Sequence, residues 1–192
     1  MKQTGGRELE VIFEELRSVL ALTGDVVELG CYKGDTSVEL GRILCGVGKK
    51  LWVYDSFEGL PEKSREDESG AGGQFKLGEL RASKREVVDK LRKIAGLEFR
   101  VVKGWFGSLA DEDLPSGICF AFLDGDYYGS VKDSLKLVEK KMVGGGVIVV
   151  DDYINEVLPG VQRAVDEWRI GKNVRMRTEA SLAVIKVLDV VK

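Results

Sequence analysis

Residues 25–34 read DVVELGCYKG, and the reading of the fold starts there. Val26, Val27 and Leu29 make a short apolar run that reads as a strand, Gly30 stops it, and a helix is expected to follow Gly34. Upstream, Leu9, Ile12, Phe13, Leu16, Val19 and Leu20 recur at helical spacing. Downstream, LWVYD, EFRVV, ICFAFLD and GVIVVDD are further short runs rich in β-branched and aromatic residues. Helical patterns at about 82–95 and 129–142 separate them, and such alternation means a parallel sheet. In the second of these helices Val131, Leu135, Val138 and Met142 line one face, and Gly144 to Gly146 are expected to end it. Val161, Ala164, Val165 and Trp168 mark a last helix. NVRMR and SLAVIKVL, split by Thr178, Glu179 and Ala180, then read as a closing antiparallel hairpin on the sheet edge. The fold class is therefore α/β, a Rossmann-like, mostly parallel seven-stranded sheet with helices on both faces and a C-terminal antiparallel hairpin.

Bulk properties narrow the function. At 192 residues the chain suits one domain, 1–192, able to bury roughly 70% of its unfolded surface. Charged residues of both signs are mixed, the net charge is −3, and no Lys/Arg block forms a phosphate-tracking face, so no nucleic-acid partner is expected. Neither an apolar signal core nor a run of about 18 apolar residues occurs, so the expectation is a cytoplasmic protein without a membrane partner. Cys31, Cys45 and Cys119 are unclustered and read as reduced, buried core filler. Because histidine is absent, proton transfer near neutral pH must use carboxylate, Lys, Tyr or Cys, with or without a metal. The polar, Gly-rich segment 62–75, EKSREDESGAGGQF, reads as a mobile lid loop, with EKSRED, Lys33 and Asp35 as solvated surface.

Ligands of an open parallel sheet bind outside the carboxyl ends of its strands. At the first end, Glu28 precedes G-x-x-x-G (Gly30 to Gly34), with Tyr32 where a dinucleotide fold places its second glycine. An acid so close upstream repels a pyrophosphate and favours a cationic, phosphate-free nucleoside. Asp55 ends the next strand 25 residues after Gly30, near the spacing of about 20 for an acid that hydrogen-bonds a ribose diol. S-adenosylmethionine meets both conditions. Taken singly, Gly30 and Gly34 are more often only a turn, and Asp55 only a helix cap or a solvated acid. FLDGDYYGS (122–130) and VIVVDDY (147–153) bring Asp124, Asp151 and Asp152 to the ends of two more strands. Three carboxylates beside one crevice suit Mg²⁺; the plainer reading, in which one acid caps the next helix and another faces water, fits Asp126 and Asp152 but not all of these acids together.

DSFEGLP, KGWF (103–106), DGDYYGS, GG-x-x-x-x-DDY and the following AVDEW together resemble the macrocin O-methyltransferase (TylF-like) family, over about Asp25 to Trp168 and in the family's order. The resemblance implies a class I methyltransferase fold and Mg²⁺-dependent transfer of a methyl group from S-adenosylmethionine to a hydroxyl, usually on a sugar of a glycosylated small molecule. It implies that Glu28, Gly30 and Gly34 form the first cofactor motif, that Asp55 and Ser56 form the ribose-binding strand end, and that Trp105 approaches the adenine. Asp124, Asp151 and Asp152 match the metal-binding acids, and Asp124 also matches the proposed general base. A single helix precedes the first motif where members of the family carry a longer N-terminal region, so the acceptor pocket is expected to be open or completed by another subunit of a homo-oligomer. SLAVIKVLDVVK lacks the family's closing aromatic. A catechol-type O-methyltransferase and a non-catalytic S-adenosylmethionine-binding protein are the alternatives; a nicotinamide enzyme should carry the G-x-G-x-x-G turn that is missing.

Overall fold

The structure, a computed structural model, describes residues 5–71 and 75–188. Helix α1 (Gly6–Ser18) leads into strand β1 (Asp25–Leu29), α2 (Asp35–Leu44) and β2 (Leu51–Asp55). After the long segment behind β2 come α3 (Lys84–Leu91), β3 (Phe99–Lys103), β4 (Ile118–Leu123) and α4 (Tyr128–Glu139). Strand β5 (Met142–Val150), helix α5 (Pro159–Arg169), β6 (Val174–Glu179) and β7 (Leu182–Val187) follow among the described residues. All seven strands join one sheet in the order β3-β2-β1-β4-β5-β7-β6, parallel from β3 to β5 and closed by the antiparallel β7 and β6.

Side-chain alternation in the strands explains the two layers. Val26, Val53, Phe120, Phe122 and Val149 point to the face covered by α1, α2 and α3, where Ile12, Leu16, Leu40, Leu44 and Leu91 meet them. Val27, Leu29, Ala121, Leu123, Ile148 and Val150 point to the other face, against Val131, Leu135 and Val138 of α4 and Val161 and Val165 of α5. The six residues of β4 are all buried, as a central parallel strand covered on both faces requires. Because the chain runs outward from β1 to β3 and then returns to β4, the order reverses between β1 and β4, and a crevice opens at their carboxyl ends.

Three local expectations differ from the structure. Gly144 to Gly146 lie inside β5, and Met142 begins that strand instead of ending a helix face. The pairing passes from Ile118–Met142 to Phe120–Val147, so the glycine run absorbs a bulge against β4. Thr178 and Glu179 belong to β6, which narrows the hairpin turn to Ala180 and Ser181. Cys31 and Cys119 are buried, but Cys45 is exposed at the end of α2.

The segment behind β2 also differs from its polar composition. Residues 72–74 of the expected lid lie outside the described residues. In the described part, Arg65–Asp67 forms a short 3₁₀ turn, and Asp67 is buried although its charge run reads as solvated. Three donors hold it there: the Tyr128 amide at 2.7 Å, and the Ser64 amide and hydroxyl at 3.0 and 2.6 Å. No helix among the described residues is long and apolar enough to cross a membrane.

Candidate functional site

Loops from the carboxyl ends of β1 to β5 enclose a cavity of about 1010 Å³. The loops after β1, β2 and β3 line it with Gly30, Tyr32, Asp55, Ser56 and Trp105, and those after β4 and β5 line it with Asp124, Asp126, Asp151 and Asp152. The start of α1, through Glu8 and Leu9, closes the rim beside the second group.

The β1 turn is built around close backbone approach. Gly30 has φ +93, and a Cβ there would lie well inside contact with the Asp124 carbonyl oxygen. Gly34 is the residue before α2. Asp55 is anchored to this turn: one carboxylate oxygen accepts the amides of Cys31 and Tyr32, both at 3.0 Å, and the other accepts the Phe57 amide at 2.7 Å. Those are three of about four lone-pair sites of a carboxylate, so one remains for a ligand hydroxyl. Ser56 spends its hydroxyl locally, donating to the Gly59 carbonyl at 3.2 Å and accepting the Glu58 amide at 3.1 Å. Trp105 stands 40% exposed at the β3 end of the cavity.

Glu28 takes a core position beneath this turn and is fully buried. Ser37 of α2 donates to one of its oxygens, and the other has no partner. Burial, reinforced by the charge of Asp55 and opposed by the Ser37 hydrogen bond, pushes the carboxyl up to about 8. Glu28 therefore lies behind the wall and is not among the residues that line the cavity. Cys31 also has a thiol pushed upward by burial and by the charges of Asp55 and Glu28, which removes it as a proton acceptor.

The loops after β4 and β5 contribute a cluster of acids. Asp124 follows β4, its amide bonded to the Leu29 carbonyl at 2.8 Å. Asp124, Asp126 and Asp152 each place a carboxylate oxygen within 4.8 Å of the others. Sequence reasoning names Asp151 here and sets Asp126 aside; the described geometry brings Asp126 into the group. Asp151, buried, accepts the Asp152 amide at 2.9 Å and lies against the same cavity. No spacing rule separates Asp126 from a helix cap: the Tyr127 amide bonds back to the Gly125 carbonyl around it at 2.6 Å, and Asp126 takes φ +57, a left-handed conformation that Asp tolerates better than most residues. Asp152 does the same at φ +54 and is oriented by the Asn155 amide group at 2.9 Å.

Crowding makes these acids costly to ionise together. Burial, then the charges of Asp151, Asp126 and Asp152, raises the Asp124 carboxyl well above its ordinary range. Burial and the charges of Asp152 and Asp151 push Asp126 up to about 8, and burial raises Asp152, with Glu8 as the charge that adds to it. Oxygens around one Mg²⁺ stand at most about 4.2 Å apart, so only small side-chain shifts separate this hard-oxygen cluster from a divalent-cation site. The residues fit such an ion, and its charge would offset the repulsion that raises their pKa values.

Comparison with known proteins places the chain. The model of the family described as macrocin-O-methyltransferase (TylF) matches residues 2–184. The demethyldecarbamoylnovobiocin O-methyltransferase of Streptomyces niveus is 30% identical over 178 residues, covering 86% of this chain and 66% of that protein. The 8-demethyl-8-(2,3-dimethoxy-alpha-L-rhamnosyl)-tetracenomycin-C 4'-O-methyltransferase of Streptomyces olivaceus is 28% identical over 165 residues, covering 80% of this chain and 62% of that protein. The chain thus spans less than two thirds of the length of these curated relatives. The structure of the O-methyltransferase NovP superposes with a TM-score of 0.80 at 26% identity, over 96% of this chain and 81% of that one.

Proposed function

The chain belongs to the macrocin-O-methyltransferase (TylF) family, and from that premise we propose that it transfers a methyl group from S-adenosylmethionine to a hydroxyl on the sugar of a glycosylated small molecule, with Mg²⁺ at the acid cluster. One observation carries the reading: Asp124, Asp126 and Asp152 converge on the same cavity as the Gly30–Asp55 turn. The named reaction of the tetracenomycin relative, a 4'-O-methylation of a rhamnosyl compound, supports a sugar acceptor.

The division of labour follows from the two walls. Asp55 offers its remaining lone pair to a ribose hydroxyl, while Gly30 lets the β1 turn close on the Asp124 backbone and Trp105 offers an aromatic face to the adenine. Glu28 acts from behind, keeping the turn bonded to α2 through Ser37. A divalent ion, when bound, lowers the pKa of a hydroxyl and fixes its direction. Asp126 and Asp152, or Asp151 after a side-chain rotation, would hold that ion. Asp124 would accept the acceptor's proton, the role for which this histidine-free chain has carboxylates in place. The sulfonium methyl is already activated, so alignment of the attacking oxygen is the main task left to the protein.

The test is a mass-spectrometric screen for methyl transfer to glycosides, free sugars, nucleotide sugars and catechols, with Mg²⁺ and with EDTA. Transfer to a glycoside that EDTA abolishes is the expected result. Transfer to catechols alone replaces the acceptor class, transfer that persists at full rate in EDTA removes the metal, and cofactor binding without transfer to any member supports a non-catalytic protein.

A further inference from the structure

Asp67 stands outside the cavity wall, yet three features give it a place in the site's geometry. It is buried, at 1% exposure, among the amino ends of α4 and α5. One oxygen accepts the amide of Tyr128, the first residue of α4, at 2.7 Å, while the other accepts the amide and hydroxyl of Ser64. The space it fills belongs to Gly160, where a Cβ would collide with the Asp67 carboxylate and press on Tyr128. A glycine at the second position of α5 is what admits an acid here.

The neighbours of this junction give it meaning. Tyr128 is two residues past Asp126, and the adjacent Tyr127 donates its hydroxyl to the Phe75 carbonyl at 3.2 Å. Two residues beyond Asp67, Ser69 donates to the Glu156 carbonyl at 2.6 Å in the loop that follows Asp151 and Asp152. A single stretch behind β2 therefore reaches both acid-bearing loops, after β4 and after β5, with its buried anchor at Asp67. Upstream, the same β4 loop is fixed by the Asp124 amide on Leu29. Without Asp67, the downstream end of that loop loses the acceptor for its first helical amide, and Asp126 in its left-handed conformation loses a fixed neighbour.

We propose that Asp67 is a positioning residue that braces the Asp124–Asp126 loop, and so sets the spacing of the acid cluster without touching it. The proposal deepens the reading of those acids as the half of the site that activates the acceptor, and rests on it. The cofactor half, on β1 and β2, should be largely indifferent to the brace.

The experiment compares the parent with Asp67→Ala, Asp67→Asn, Gly160→Ala and the Asp67→Ala/Gly160→Ala double variant. Amide exchange is followed in residues 125–129, Mn²⁺ affinity by electron paramagnetic resonance, and S-adenosylhomocysteine affinity by calorimetry. Asp67→Ala should speed exchange in 125–129 at least tenfold and weaken Mn²⁺ about tenfold, with S-adenosylhomocysteine affinity changed less than twofold. Asp67→Asn keeps an acceptor for Tyr128 and should recover most of the Mn²⁺ affinity. Gly160→Ala, which evicts the carboxylate, should mimic Asp67→Ala, and the double variant should be no worse than either single one. Equal losses of Mn²⁺ and S-adenosylhomocysteine affinity, or unchanged exchange in 125–129, would overturn the proposal in favour of a general structural role. If Asp67→Ala does not fold, the Asp67→Asn and Gly160→Ala variants decide by the same criteria. Failure of the parent itself to bind Mn²⁺ would sink the metal reading alone, and the brace would then stand or fall on exchange.

Discussion

Asp55 and Asp124 both stand at the carboxyl end of a parallel strand and line one cavity, and their surroundings are opposite in kind. Asp55 is enclosed by donors, three backbone amides within 3.0 Å. Asp124 is enclosed by acids, with Asp126, Asp151 and Asp152 all raising its pKa after burial has done so. Residue type and strand position are the same, so the difference lies in what the following loops supply. A wall of amides satisfies a carboxylate and leaves it to make one further neutral contact. Acids crowded on one another instead create a demand for positive charge, which a divalent ion meets.

The largest expected effect tests the acid wall. Asp124→Asn should lower methyl transfer to an identified acceptor by about 10²–10³-fold while S-adenosylhomocysteine affinity stays within about threefold, because Asp124 meets the Gly30 turn through backbone atoms that the substitution keeps. Calorimetry beside single-turnover kinetics checks this, and parallel losses in both would erase the distinction between the walls.

The next effect sharpens it through pH. Glu28 and Asp126 titrate near 8 in the fold against ordinary values of 4.5 and 3.8. Between those limits the folded chain holds more protons than the unfolded one, so their stabilising share is full below about pH 4 and is lost as pH rises through 8. Since a tenfold change in proton affinity corresponds to about 1.4 kcal/mol, the loss should reach a few kcal/mol. Thermal melts without divalent ion should fall by several degrees from pH 5 to 8.5. Mg²⁺ should restore the part due to Asp126, and Glu28→Gln should flatten the part it leaves. Melting temperatures that rise across this window contradict the assignment.

On the amide wall, Asp55→Ala should weaken S-adenosylmethionine binding about ten- to a hundredfold, the loss of roughly 1.5–3 kcal/mol expected for a charged hydrogen bond. It should also deprotect the Cys31 and Tyr32 amides in hydrogen exchange, and leave Mn²⁺ affinity in place. Unchanged cofactor affinity in a folded variant would make Asp55 a loop anchor only. Smallest of all, Ser56→Ala should cost the cofactor less than about 1 kcal/mol, since that hydroxyl already serves Gly59 and Glu58. A tenfold loss would mean that Ser56 turns toward the ligand.

What the sequence discloses follows the same division. Short runs rich in β-branched and aromatic residues, and the helices between them, are local properties, and they suffice for the parallel sheet and its closing hairpin. Acids at strand ends are local too, so Asp55, Asp124, Asp151 and Asp152 can all be named in advance. Asp126 cannot be told from a helix cap by pattern, because its place depends on its own left-handed backbone conformation. Asp67 hides in a charge run, since its burial is decided by an amide 61 residues away and by the space left at Gly160. The glycines of β5 read as a helix stop because a bulge is defined by its partner strand, which local periodicity does not reveal.

The contact between Gly30 and the Asp124 carbonyl bears on how such a protein can be recombined. At this seam one side must lack a side chain, and the other needs only a backbone oxygen, which every residue provides. A block carrying the β4 and β5 loops of a relative can therefore be grafted behind this β1 turn without rebuilding the seam, provided that position 30 stays glycine. Chimeras of that design should exchange acceptor preference while keeping the donor site intact, and the brace at Asp67 and Gly160 marks a second pair that has to travel with the graft or be matched to it.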